Sequence, residues 1–83
     1  MAYTTNRIKI EYCVPCGYLP QASELATELL QHLRHDVEAI ELVTGDSGVF
    51  DVKLNDDLIY SHFDTGTFPT TKEILTTVKD KAQ

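Results

Sequence analysis

Two cysteines three positions apart constrain this chain more than anything else in it. Cys13 and Cys16 lie in Cys13-Val14-Pro15-Cys16-Gly17, and the 83 residues hold only 2 cysteines. Small secreted domains usually carry two to four bridges. A bridge closing so short a loop restrains the unfolded chain very little. A close pair is therefore better read as redox chemistry or metal binding than as a structural staple.

The flanking sequence gives the pair a place. Residues 7–12, Arg7-Ile8-Lys9-Ile10-Glu11-Tyr12, alternate polar and apolar, as a half-buried strand does. Pro15 and Gly17 break that strand. From residue 20 to 34, Ala22, Leu25, Ala26, Leu29, Leu30 and Leu33 fall on one stripe of a helix. Further strands are expected over 36–44, 49–54 and 58–63, with loops at 45–48 and 64–69 and a turn at Asn55-Asp56-Asp57. A last helix over 71–81 has Thr70 and Glu73 at capping-box spacing and Ile74, Leu75 and Val78 as its apolar stripe. The order β-α-β-β-β-α opens with a right-handed parallel βαβ unit and adds an antiparallel hairpin. This predicts an α/β two-layer sandwich, a mixed four-stranded sheet with two helices. One domain is expected over 1–83, with an ordered core of about 7–82.

At the junction of strand and helix, a thiolate meets unpaired backbone N–H groups and the positive end of the helix dipole. Its pKa falls from about 8.5 towards 7 or lower. The thiolate is the nucleophile of disulfide exchange, and a second thiol two residues away can resolve the mixed disulfide. Cys13 and Cys16 are thus the candidate catalytic residues. Tyr12, Val14, Pro15, Tyr18 and Phe68 are candidates for a rim that meets substrate or partner.

Zinc is the competing chemistry, because His32 and His35 follow the cysteines. The spacing departs from that of common fingers, and a folded helix would hold the histidines roughly 20 Å away. No metal and no cofactor are expected. His32, His35 and His62 are read as solvated surface residues. Glycines 45 and 48 lack a phosphate-binding pattern.

Composition narrows the partners. Seven Lys+Arg against 13 Asp+Glu give a net charge of −6, which argues against nucleic acid and anionic membranes. No apolar run nears the ~20 residues of a membrane span, and residues 1–7 lack the apolar stretch of a signal peptide. A cytoplasmic location is expected.

The run Ile10-Glu11-Tyr12-Cys13-Val14-Pro15-Cys16-Gly17-Tyr18-Leu19-Pro20 resembles the opening of the selenoprotein W-like (Rdx) family. There a strand ends in Tyr-Cys-x-x-Cys or Tyr-Cys-x-x-selenocysteine, followed by Gly-Tyr and a helix. Gly48-Val49-Phe50-Asp51-Val52 is similar to the family's Gly-x-Phe-Glu-Val strand, and Leu58-Ile59-Tyr60-Ser61 to its Leu-Val-x-Ser strand. The resemblance runs from about residue 7 to 82. It implies a thioredoxin-like fold and thiol redox chemistry in cellular redox homeostasis. Protein or small-molecule thiols and disulfides would be the partners, with glutathione or a thioredoxin-type system as electron source. It also places Cys16 where some members carry selenocysteine. That favours Cys16 as nucleophile, whereas thioredoxin-type reasoning favours Cys13; Cys16 is preferred here. Two departures from thioredoxins stand out: Tyr12 replaces the Trp before the dithiol, and Gly48-Val49 stands where thioredoxins place a cis-proline. The expected function is a small thiol–disulfide oxidoreductase. The alternative is a redox-sensitive interaction module without turnover.

Overall fold

A computed structural model describes residues 6–34 and 37–81. Its elements are β1 (Arg7–Cys13), α1 (Leu19–Leu33), β2 (Ala39–Gly45), β3 (Phe50–Leu54), β4 (Asp57–Ser61), α2 (His62–Thr65) and α3 (Thr71–Lys81). The sheet runs β2-β1-β3-β4, with β1 and β2 parallel and the other neighbours antiparallel.

Strand alternation in β1 builds the core directly. Ile8, Ile10 and Tyr12 face Leu54, Val52 and Phe50 of β3, and all six are buried. Helices α1 and α3 pack on each other, and their buried residues join the same cluster. Helix α1 contributes Ala22, Leu25, Ala26, Leu29 and Leu33, and α3 contributes Ile74 and Val78. Leu30, expected in the stripe, is exposed instead, because the helix turns it past the edge of the sheet contact. The opposite sheet face is charged: Lys9 pairs with Glu41 and Lys53, and Glu11 with Val43 and Asp51.

Local chemistry sets the ends of the elements. Asn55 and Asp56 have φ of 52° and 73°, the left-handed pair that a tight hairpin needs and that Asn and Asp tolerate. The capping box forms: Thr70 N–H donates to Glu73 Oε1 at 2.9 Å, and Glu73 N–H to Thr70 Oγ1 at 3.2 Å. It is worth about 1 kcal/mol.

The fourth strand stops two residues earlier than alternation suggests. His62–Thr65 is a helical turn closed by Gly66 N–H to His62 C=O at 2.8 Å. The strand–loop boundary expected after Phe63 is therefore corrected to Ser61. The cause is a local network: Tyr60 Oη and Thr65 Oγ1 both donate to Thr67 C=O, at 2.9 and 3.0 Å. The second strand begins at Ala39, later than expected; Asp36, where it was expected to start, lies outside the described residues.

Candidate dithiol site

Cys13 is the last residue of β1, and Cys16 lies in the turn before α1. The two sulfurs are joined, with the Cα atoms 5.3 Å apart, inside the range that a bridge spans without distortion. Their surroundings differ sharply. Cys13 is fully buried, whereas Cys16 is exposed.

The turn is held from three sides. Cys13 N–H donates to Val49 C=O at 2.8 Å, and Val14 N–H to Gly45 C=O at 3.0 Å. Tyr18 N–H donates back to Cys13 C=O at 3.2 Å. Gly17 has φ of 79° and closes the turn through its N–H to Val14 C=O, a conformation that an L side chain would strain. The Cys16 N–H donates to Cys13 Sγ at 3.2 Å. That N–H lies where negative charge on the buried sulfur would be hydrogen-bonded. This donor comes from the turn, one step ahead of the helix end that sequence reasoning pointed to.

The candidate rim divides. Val14 and Pro15 are exposed beside Cys16. Tyr18 is half-buried, and its ring meets Phe68 edge-on at 4.9 Å, Phe50 at 6.4 Å and His62 at 6.0 Å. Phe68 also packs on Phe50 at 5.1 Å and stacks with His62 at 4.7 Å. Tyr12 is corrected: it lies on the core face of β1 with Ile8 and Ile10, so strand alternation removes it from any rim. His62, expected to be solvated, joins the aromatic group. Its Nδ1 lies 2.9 Å from Thr67 C=O, a carbonyl that can only accept, so the Nδ1 carries the proton.

Sequence reading missed other residues beside the pair. Gly45 and Val49 receive the backbone bonds of Val14 and Cys13, and Leu19, at the start of α1, adds exposed apolar surface. The signal for Gly45 was a glycine ending a strand rich in β-branched residues; for Val49 it was the strand start after Gly48. Among the described residues, no group of three or more His, Cys, Asp and Glu is placed to hold a metal. His32 sits in the last turn of α1, at the other end of the helix from the cysteines, and His35 lies outside the described residues. Also among the described residues, no helix is long and apolar enough to cross a membrane.

The Rdx family model matches residues 7–80. This chain belongs to the Rdx family. Its structure superposes on a selenoprotein W-related protein from Vibrio cholerae with a TM-score of 0.92 at 26% identity, covering 96% of this chain and 100% of that one. A second solved structure, from Bordetella parapertussis, gives a TM-score of 0.88 at 34% identity, with 92% of this chain and 96% of that chain covered. Migration and invasion enhancer 1 of Bos taurus is 32% identical over 73 residues, which is 88% of this chain and 62% of that protein. The Mus musculus protein of the same name is 30% identical over 74 residues, covering 87% of this chain and 61% of the relative. The chain thus spans about three fifths of these two relatives' length. With the family, the fold is settled as thioredoxin-like, carrying a CxxC pair at bonding distance.

Proposed function

We propose that this Rdx protein is a thiol–disulfide oxidoreductase in which Cys16 is the attacking sulfur and Cys13 the resolving one. The observation that carries this is the asymmetry of the pair: one sulfur exposed, the other buried and given a backbone donor. In the reduced protein, the Cys16 thiolate attacks a substrate disulfide and forms a mixed disulfide. Cys13 then attacks Cys16 Sγ, the substrate leaves as a thiolate, and the Cys13–Cys16 bond forms. In the return half-reaction, an incoming thiolate attacks Cys16 Sγ. Cys13 departs as a thiolate, hydrogen-bonded by the Cys16 N–H, and a second thiolate then attacks the sulfur carried on Cys16, releasing Cys16 as a thiolate and a new disulfide.

The partners in this reading are thiols and disulfides of proteins or small molecules. Glutathione or a thioredoxin-type system supplies electrons in a cytoplasmic setting. The test is a redox titration of the pair in glutathione buffers, read by alkylation and mass, together with turnover of a small disulfide. A two-electron transition between about −180 and −270 mV, with many turnovers per molecule, supports the reading. A transition below about −300 mV without turnover would oppose it.

A second reading draws on the exposed apolar side chains Val14, Leu19 and Phe63, of which Val14 and Leu19 flank the dithiol turn. Here the dithiol changes a binding surface, and partner affinity is the output. A single oxidation that alters affinity without repeated cycles would favour it.

A further inference from the structure

Between α1 and the segment leading into α3 runs a groove of about 290 Å3 that thiol chemistry leaves unused. Leu25, Phe50 and Phe68 give it an apolar lining, and Gln21, Glu24 and Glu28 border it from α1. Its volume falls just below the range of about 300–1,000 Å3 that small-molecule sites occupy, so it suits a side chain better than a cofactor. The groove adjoins the dithiol turn. Phe68 and Phe50 both meet the Tyr18 ring, at 4.9 and 6.4 Å, and the Tyr18 N–H bonds Cys13 C=O. A chain that reaches Cys16 and follows α1 therefore passes over it.

Charge selects the occupant. Glu24 and Glu28 stand one helical turn apart on the same side of α1, a spacing at which like charges weaken a helix. Among the described residues, neither carboxylate has an ion pair or a hydrogen bond. No Lys or Arg lines the groove, and Glu28 is half-buried, so its charge is partly withdrawn from water with nothing to offset it. An apolar lining beneath two unpaired carboxylates matches a side chain with an apolar stem and a cationic head. Lys and Arg have that form: the stem lies on apolar surface and the head stays at the polar edge.

Building on the dithiol reading above, we propose that this groove takes a Lys or Arg side chain of a polypeptide substrate and so selects disulfides with a basic residue nearby. The helix sets the reach. Glu24 and Glu28 lie about 8 and 14 Å along α1 from Leu19, at 1.5 Å per residue. An extended substrate chain advances about 3.3 Å per residue. The basic residue therefore stands about two to four positions from the substrate cysteine that Cys16 attacks.

The experiment uses the reduced full chain and three short peptide disulfides that differ only at the third position from cysteine, which is Arg, Gln or Glu. Rates of peptide reduction are compared at 0.15 M salt, where a Debye length of about 8 Å limits long-range steering. The Arg peptide should react about three- to tenfold faster than the Gln peptide, and the Glu peptide more slowly than both. The double variant Glu24→Gln with Glu28→Gln should bring the Arg and Gln rates within about twofold of each other. Glu41→Gln with Asp80→Asn removes the same charge away from the groove and should keep the preference. An absent preference in the unaltered protein, or its equal loss in both double variants, overturns the proposal.

A second measurement needs no turnover. The Arg peptide, with Ser in place of its cysteine, is titrated into the oxidised protein and followed by NMR. Resonance shifts at Gln21, Phe68 and Thr70 that the Gln peptide does not produce support the groove. Shifts confined to other residues, or equal shifts with the Gln peptide, overturn it. If no peptide disulfide is reduced, the dithiol reading falls, and the NMR titration still decides whether the groove takes a cationic side chain.

Discussion

The two ends of β1 are built on opposite plans. At its start, polar side chains tie the sheet together. Arg7 N–H donates to Asn55 Oδ1 at 2.8 Å, and Asn55 Nδ2 to Asn6 Oδ1 at 2.9 Å. Asn55 N–H reaches Arg7 C=O at 2.9 Å, and Glu38 N–H reaches Asn6 C=O at 2.7 Å. Arg7 also pairs with Glu38 at 3.0 Å, an exposed contact of little energetic weight. At its finish, the segments around β1 hold it through backbone bonds, Cys13 N–H to Val49 C=O and Tyr18 N–H to Cys13 C=O, and through the bond from Cys13 to Cys16. A glycine replaces a side chain at Gly45, a carboxylate oxygen on Asp51 has no partner, and Val14 and Leu19 stand exposed nearby. One end is optimised for holding the sheet. The other keeps a buried sulfur and an exposed one within bonding distance, at a cost in satisfied groups. The difference teaches where chemistry is placed: at the end that the fold leaves less fully bonded.

Single substitutions can break this comparison. Gly45→Ala carries the largest expected effect. Its Cβ would overlap Val49 and Glu11, which costs about 1–3 kcal/mol in chemical denaturation. It should also change the redox potential of the pair, because Val49 and Gly45 accept the Cys13 and Val14 N–H groups. An unchanged potential would separate Gly45 from the site.

Asn55→Ala comes next, at about 1–2 kcal/mol. It removes the side-chain bonds to Arg7 N–H and Asn6, and places Ala at φ of 52°. The potential should not move, because the loss lies at the other end of the sheet. A shifted potential would show that the two ends are not independent.

Much of this was legible before any coordinates. Alternation in β1 and the apolar stripe of α1 are strong periodic signals, and they placed the cysteines between the two elements. The capping box at Thr70 and Glu73 was readable because both residues act locally. Less was legible where a contact joins distant segments. Tyr12 looked like rim because it adjoins Cys13 in sequence, yet alternation turns it to the core. His62 looked solvated because nothing near it in sequence announces Phe68 or Tyr18 as neighbours. The end of β4 was missed because a network around Thr67 C=O overrides the strand propensity of Phe63. The lean of Glu11 over Gly45 depends on the pairing of β1 with β2, which periodicity alone does not fix.

The most direct test of the account is trapping. Cys13→Ser and Cys16→Ser proteins, reduced and then exposed to oxidised glutathione, are read by intact mass. The account predicts a stable glutathione adduct on Cys16 in Cys13→Ser protein and little or none in Cys16→Ser protein, where the remaining sulfur is buried. An adduct that forms only through Cys13 would contradict it.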